Sequence, residues 1–140
     1  HYIYEPDSSK SGSEIAMVLG QDPDRVFKTL VTEGRTGEHY VFVIPVDCEL
    51  DLKKAAKAVA EKSISMIPQK ELLPLTGYIH GGCSPIGMKK FFVTTVDKSA
   101  EQFDSICFSA GKVGYQVEVS PKDLAKVIRF CFADICVSDE

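Results

Sequence analysis

One run of five apolar residues, Tyr40-Val41-Phe42-Val43-Ile44, limits most strongly what this chain can fold into. A continuous apolar run of this length is typical of a strand that is covered on both faces. The run at residues 27–32 precedes it, has a period close to two and is also strand-like. Because Gly34-Arg35-Thr36-Gly37 punctuates the chain between them, the two strands are predicted to form a hairpin.

A helix is predicted over residues 51–62, where apolar residues recur at helical spacing. Three lysines, Lys53, Lys54 and Lys57, lie on its opposite side. An amphipathic helix needs a charged side whatever its function, so a solvated face is favoured over an RNA platform.

A second helix is signalled near the C-terminal end by Ser120 as its cap and Pro121 at its first position. Its predicted apolar face consists of Leu124, Val127, Ile128 and Cys131. Shorter helices are expected at residues 13–20, 68–73 (ending before Pro74) and 99–103, and a turn that begins at Asp22-Pro23 is expected to continue through Arg25 and Val26. Further strands are expected at residues 77–80, 91–96, 105–109, 115–119 and 133–135.

Strands therefore outnumber helices and the two are interspersed, which predicts a single mixed-sheet α/β or α+β domain over residues 1–140. The chain has 140 residues, of which 44% are hydrophobic, enough for a real core. It begins at His1 with strand-like residues, so a preceding piece of the domain, expected to be a helix, is predicted to be missing. No apolar stretch approaches the roughly 20 residues of a membrane span, so a cytoplasmic protein without membrane contact is expected.

The formal charge limits the kinds of partner. With 16 Lys+Arg against 20 Asp+Glu the net charge is −4, which argues against a broad surface that grips phosphates. Any nucleic-acid contact should therefore be local. The five cysteines (48, 83, 107, 131 and 136) form an odd set without a Cys-x-x-Cys pair, which favours buried thiols over a zinc site. No ligand cluster or nucleotide fingerprint calls for a metal or other cofactor.

The glycine-rich segment Gly81-Gly82-Cys83-Ser84-Pro85-Ile86-Gly87 is the first candidate for chemistry. Consecutive glycines let a backbone approach a ligand closely and aim N–H groups at an anion or a carbonyl oxygen. The segment is not a Walker loop, because Met88 stands where the phosphate lysine should be. Spacing alone leaves open a tight turn between strands or a ligand-binding loop.

Three further features each have a structural and a functional interpretation. Lys28, within a strand-like run, is either an edge or snorkelling lysine or a cation on the floor of a pocket. Ser109-Ala110-Gly111-Lys112 is either a plain hairpin turn or a second polar lip of that pocket. Cys83 could be a nucleophile, but the sequence offers no activating base and no serine-hydrolase triad.

Five blocks of sequence, in order over nearly the whole chain, resemble the YbaK/EbsC family, relatives of the editing domain inserted in prolyl-tRNA synthetase. They are Arg25-Val26-Phe27-Lys28-Thr29-Leu30, Leu50-Asp51-Leu52-Lys53-Lys54-Ala55-Ala56, residues 76–87, residues 108–114 and Phe132-Ala133-Asp134-Ile135. The resemblance implies a mixed, barrel-like sheet flanked by short helices. It also implies a trans-editing deacylase that cleaves a misattached amino acid from tRNA, with the cysteinyl-tRNA(Pro) deacylases as the most similar subgroup.

The same resemblance implies roles for individual residues. The essential lysine of the family matches Lys28, and the remaining matches imply substrate contacts at Tyr4, Thr29, Gly81, Gly82, Cys83, Ser84, Pro85, Ser109, Gly111, Lys112 and Gln116. One departure matters: the subgroup carries an aspartate where this chain has Gln116, which can hydrogen-bond but is not an anion.

The implied partners are the acceptor end of tRNA(Pro) and prolyl-tRNA synthetase. The implied mechanism is economical, because the thiol of a misattached cysteine can attack its own ester carbonyl. Two other readings stay open: a deacylase for alanine that uses water, and a noncatalytic module that binds aminoacyl-tRNA or nucleotide.

Overall fold

The computed structural model describes residues 2–3, 25–78, 83–88, 92–109, 111 and 115–137. This part of the chain contains eight strands and three α-helices. The strands are β1 (Tyr2–Ile3), β2 (Phe27–Gly34), β3 (His39–Pro45), β4 (Ile64–Met66), β5 (Val93–Asp97), β6 (Ile106–Ser109), β7 (Tyr115–Val119) and β8 (Cys131–Ala133). The helices are α1 (Leu52–Ala58), α2 (Gln69–Thr76) and α3 (Pro121–Val127), with a 3₁₀ helix at Lys98–Gln102. None of these helices is long and apolar enough to cross a membrane.

The predicted hairpin of β2 and β3 is the centre of the fold. The strands pair antiparallel from Phe27 opposite Pro45 to Glu33 opposite His39. Residues 41–45 are all buried, as a strand covered on both faces requires. The turn predicted at residues 34–37 is present, with Gly37 in the left-handed region at φ 90°.

Two sheets make up the mixed architecture. A five-stranded sheet has the order β4-β2-β3-β5-β8, in which β5 runs parallel to both β3 and β8. A three-stranded antiparallel sheet has the order β1-β7-β6. The mixed α+β fold is confirmed, but the expected barrel is not closed: within the described residues a single parallel bridge, Val26 to Cys107, joins the two sheets.

The alternation of side chains along β2 and β3 builds a core on each face of the sheet. Val31, Val41 and Val43 belong to one cluster, with Leu72 of α2 and Ile106 of β6. On the opposite face a second cluster contains Phe42 and Ile44, Ala55 and Ala56 of α1, Ile64 and Ile135. Helices therefore cover both faces of the hairpin.

Helix α1 is shorter than predicted at both ends. It starts at Leu52, where the Asp51 carboxylate accepts hydrogen bonds from the N–H groups of Lys53 and Lys54 at 3.0 and 3.1 Å. It ends at Ala58 because Ala60 takes a left-handed conformation, φ 59°, and the Glu61 N–H donates to the Ala56 carbonyl.

Helix α2 corrects two expectations. The helix was expected to end before Pro74, but it continues to Thr76. Burial of Leu72 and Thr76 anchors it, and the Thr76 hydroxyl and Gly77 N–H donate to the carbonyls of Leu72 and Leu73. Gly77 then adopts φ 87° as the left-handed cap, so Gly77 and Tyr78 do not belong to the strand expected at 77–80.

Helix α3 and the segment after it differ from the expectation in part. Ser120 caps the helix by accepting from the Asp123 N–H at 3.1 Å, as predicted. Leu124 is buried, but Val127 is 61% exposed and Cys131 lies in β8, because the chain becomes extended at Ile128. The expected strand at 133–135 is therefore displaced to residues 131–133, where β5 supplies a parallel partner.

Most of the remaining predicted elements are present in the part of the chain that the structure describes. The strands expected at 105–109 and 115–119 are confirmed as β6 and β7, and the 99–103 turn is the 3₁₀ helix. The strand expected at 91–96 starts at Val93. The short helix expected at 13–20 and the start of the turn at Asp22-Pro23 lie outside the described residues, which resume at Arg25.

The carboxylate of Glu61 ties the segment after α1 to the hairpin. It accepts hydrogen bonds from the Thr36 hydroxyl at 2.5 Å and the Tyr40 hydroxyl at 2.7 Å. These bonds, from Thr36 first and Tyr40 second, lower the pKa of Glu61 below its usual 4.5. The carboxylate therefore stabilises the folded state above that pH, and the contribution is lost as pH falls through the lowered pKa.

We expect Glu61→Gln to lower the free energy of unfolding at pH 7, with a deficit that shrinks towards pH 3. Urea unfolding at both pH values measures the deficit, and Glu49→Gln, at an exposed glutamate, is the matched control. A deficit independent of pH would contradict this role of the carboxylate.

Candidate active site

The site is built where β2 changes partner. At its start Val26 bridges Cys107 of β6, and from Thr32 onward β2 pairs with β4. Between these points residues 27–30 have β3 on one side but no strand partner on the other within the described part of the chain. The sheet therefore has a gap at Lys28 and Thr29.

Strand register aligns three of the predicted site residues beside this gap. Lys28 and Ser109 lie two residues beyond the bridged pair Val26 and Cys107, in strands that run parallel at that point. Ser109 is in turn directly opposite Gln116 in the β6–β7 pair. Paired residues share a face, so Ser109 and Gln116 lie on the same face as Cys107. Lys28 lies on the face of β2 that contains Val26. These three residues, Lys28, Ser109 and Gln116, form one group of polar side chains beside the gap. We call it the polar row.

Lys28 supplies a cation to the polar row. It is half-buried, directly opposite Ile44, and on the face that α1 covers further along the strand. Within the described residues its ammonium has no ion-pair partner. The Lys28 side chain extends from a strand with apolar neighbours, and no carboxylate of the described residues neutralises its ammonium. Such a cation is suited to stabilising negative charge on a ligand.

Gln116 and Ser109 supply neutral polar groups. Gln116 is only 7% exposed, and its Oε1 atom has no hydrogen-bond partner in the described part of the chain. The Ser109 hydroxyl accepts from the Gly111 N–H at 3.2 Å, which fixes the turn after β6. The charged neighbour on this face of β7, Glu118, accepts from the Ser105 hydroxyl at 2.5 Å.

Thr29 and Cys83 are placed on the other face of the sheet. Thr29 alternates with Lys28 along β2, and its buried hydroxyl has no partner among the described residues. Cys83 belongs to the core cluster that contains Phe27 and Val31, which flank Thr29 on that face. The structure thus divides the predicted site residues between the two faces of β2 at the gap.

Tyr78 joins the glycine-rich segment to the second lip. Its hydroxyl donates to the Ile86 carbonyl at 2.5 Å, and burial, with Cys83 nearby, raises the pKa of Tyr78. A Cβ atom added to Gly111 would lie 2.9 Å from its ring, and one added to Gly87 would lie 2.8 Å from its hydroxyl. The ring therefore packs between the two loops, which places the loop at 83–88 beside the end of β6.

Sequence reasoning missed Tyr78 as a site residue. The local sequence pattern places Tyr78 in a strand. The signal that could have identified it as a site residue is its position just before the glycine-rich segment. Its packing against Gly111 depends on a contact between residues 33 positions apart, which local patterns do not carry.

Burial and a local turn hold the described part of the glycine-rich loop in place. Ser84 and Pro85 are buried, and the Ser84 hydroxyl accepts from the Ile86 N–H at 3.2 Å. Residue 87 adopts a left-handed conformation, φ 75°, which favours glycine. The predicted site residues Tyr4, Gly81, Gly82 and Lys112 lie outside the described residues.

Burial raises the pKa of the Cys83 thiol to about 11, well above neutral pH. Cys83 is therefore a protonated thiol, whereas nucleophilic attack needs the thiolate. The chemistry that this arrangement supports is electrostatic: one cation, hydroxyl and amide groups, and a fixed loop around a gap in the sheet.

Together these features define a mixed α+β domain with a gap in its main sheet beside the polar row. Residues 5–127 match the model of the aminoacyl-tRNA editing domain, and the chain belongs to that family. The predicted resemblance is thus confirmed.

Relatives in sequence agree with the family. A candidate Cys-tRNA(Pro)/Cys-tRNA(Cys) deacylase, EbsC of Enterococcus faecalis, is 46% identical over 129 residues, 92% of this chain and 79% of that protein. A proline–tRNA ligase of Pelobacter propionicus is 34% identical over 88 residues, which cover 63% of this chain but only 15% of the ligase.

Solved structures share the fold. A candidate trans-editing enzyme for prolyl tRNA synthetase superposes with a TM-score of 0.83 and 25% identity, over 97% of this chain and 86% of that one. The hypothetical protein APE2540 superposes with a TM-score of 0.84 at 23% identity, over 98% and 89% of the two chains, and shows the fold alone.

We expect Gly111→Ala to be more destabilising than Gly37→Ala. Both glycines have left-handed φ values, 97° and 90°, so each alanine costs about 1–2 kcal/mol of strain. Only at Gly111 would the new Cβ also meet the Tyr78 ring, whereas nothing lies within 4 Å at Gly37. Urea unfolding measures both losses, and equal losses would contradict the packing of Tyr78 between the loops.

Proposed function

We propose that this protein is a trans-editing deacylase that removes misattached cysteine from tRNA(Pro), and that residues 1–140 act as one editing domain. The observation that carries the proposal is the polar row beside the gap in the sheet. Membership of the editing family and the 46% identity to EbsC support the reaction class. The proposed ligand is the aminoacyl end of the tRNA.

Lys28 is the proposed catalytic residue. Cleavage of an aminoacyl ester places negative charge on the carbonyl oxygen in the transition state. A preorganised cation in a partly desolvated site stabilises that charge more than water does. We place the ester carbonyl near the Lys28 ammonium, with Ser109, Gly111 and Thr29 lining the gap.

The glycine-rich loop is proposed as the second wall of the substrate site. Its residues from Gly81 to Pro85 would direct backbone N–H groups towards the ester, with Tyr4 and Lys112 as further contacts. The local turn at Ser84 and the hydrogen bond from the Tyr78 hydroxyl to the Ile86 carbonyl support this role, because both fix the loop. An oxyanion is stabilised best by donors that do not have to reorganise.

The nucleophile is proposed to be the substrate's own thiol. Its sulfur attacks the ester carbonyl, the C–S bond forms, and the C–O bond to the terminal ribose breaks. The ribose hydroxyl leaves with the thiol proton, and cysteine departs as a cyclic thioester. This route needs orientation and charge stabilisation from the protein, which agrees with the protonated state of Cys83.

Selection of the tRNA is proposed to depend on a few local contacts or on prolyl-tRNA synthetase as a partner. The chain has a net charge of −4, so bulk attraction to phosphates is weak. The isolated protein should therefore discriminate between amino acids better than between tRNAs.

We expect Lys28→Ala to lower the rate of deacylation of Cys-tRNA(Pro) by about 100-fold or more, the effect of losing one oxyanion-stabilising group. Single-turnover release of labelled cysteine measures the rate, and circular dichroism checks the fold. Lys57→Ala, at an exposed lysine of α1, is the matched control. A Lys28→Ala protein that keeps its rate would remove this residue from the mechanism.

We expect release from cysteinyl-tRNA(Pro) but not from the same tRNA charged with S-methylcysteine. The methyl group blocks attack by sulfur yet leaves the ester and the α-amino group unchanged. Release from both, together with release of alanine, would instead indicate water as the nucleophile. Binding without release from any of the charged tRNAs would indicate a noncatalytic module.

A further inference from the structure

The Gln116 side chain carries an unsatisfied hydrogen-bond acceptor. The residue is 7% exposed, and its buried Oε1 atom has no donor among the residues that the structure describes. Buried polar atoms in folded proteins nearly always have a partner. The hydroxyls of Thr29 and Ser99 are two further buried atoms without a partner among the described residues. Gln116 differs from Ser99 in its place within the polar row, where a bound ligand can supply the donor.

The described side chains beside Gln116 do not supply that donor. On the other side of β7 the residue opposite Gln116 is Tyr2, of which the structure describes the backbone pairing. Ser109, directly opposite, accepts from the Gly111 N–H, and its own hydroxyl makes no hydrogen bond to Gln116 Oε1. Glu118, two residues along β7, offers only carboxylate oxygens and is bound by the Ser105 hydroxyl. Lys28 lies in β2, and β6 is between it and Gln116.

An aminoacyl ester offers few strong donors to such an atom. Its carbonyl and ester oxygens accept hydrogen bonds only, and a thiol is a weak donor. The α-amino group carries several N–H donors and is separated from the carbonyl by one carbon. A ligand whose carbonyl meets Lys28 can therefore extend its α-amino group along the polar row.

We propose that Gln116 Oε1 accepts a hydrogen bond from the α-amino group of the aminoacyl moiety. This inference rests on the proposed function, because it places the aminoacyl end in the same site. The contact fixes rotation about the bond between the α-carbon and the carbonyl. Gln116 is thus a positioning residue that orients the substrate side chain towards its own ester.

The test uses two amide-linked analogues of the aminoacyl end, which the enzyme cannot cleave as esters. One is 3′-amino-3′-deoxyadenosine acylated with cysteine, and the other is acylated with 3-mercaptopropanoate, which lacks the α-amino group. Calorimetry measures their dissociation constants for the wild-type protein, Gln116→Met and Gln116→Glu. Gln102→Met, at an exposed glutamine of the 3₁₀ helix, is the matched control.

We expect loss of the α-amino group to weaken binding to the wild type and to Gln102→Met about tenfold, the usual effect of one hydrogen bond to a charged donor. For Gln116→Met the two analogues should bind within about twofold of each other. Gln116→Glu keeps an acceptor and should therefore keep the preference for the analogue with the α-amino group. This variant still tests the inference if Gln116→Met does not fold.

Equal losses in the wild type and Gln116→Met would overturn the inference, as would wild-type protein that binds the two analogues equally. Release of cysteine from Cys-tRNA(Pro) is measured alongside. If the protein releases cysteine but binds the two analogues equally, this inference is wrong and the proposed deacylase activity stands. A preference that depends on Gln116, without release, supports it while defeating the proposed deacylase activity.

Discussion

The change of partner along β2 is the constraint on which the site depends. One strand cannot hydrogen-bond on the same edge to β6 and to β4 at the same residues, so it pairs first with one and then with the other. Among the described strands, none pairs with the edge at residues 27–30 between them. A hairpin with β3, buried on both faces, holds this open edge rigid. The gap is therefore a consequence of sheet topology, and Lys28 lies in it.

The sequence correctly predicted those elements that are specified by residues within or next to them. The β2–β3 hairpin, β7 and the start of α3 are specified by alternation, by turn glycines and by a Ser-Pro cap. Elements that depend on distant partners were misplaced. Helix α2 continues through Pro74 because buried Leu72 and Thr76 hold it, and β8 pairs at residues 131–133 because β5 lies beside it. Neither partner can be read from the local sequence.

The candidate site was predictable to a similar extent. The residue types of the polar row were identified from the sequence and the family resemblance. Their alignment depends on one bridge and one register between strands far apart in the chain. The same is true of Tyr78, whose role becomes visible only through its packing against Gly111. A one-residue shift in the β6–β7 register would have turned Gln116 to the other face.

The neutral side chain at Gln116 also affects Lys28. A carboxylate at this position would place a negative charge in the polar row, and attraction to it would offset part of the lysine's effect on a developing oxyanion. An amide keeps an acceptor for the substrate but adds no charge. The one carboxylate on this face of β7, Glu118, is already hydrogen-bonded to Ser105. In a chain with a net charge of −4, the polar row thus keeps a local positive charge where the proposed reaction places its negative charge.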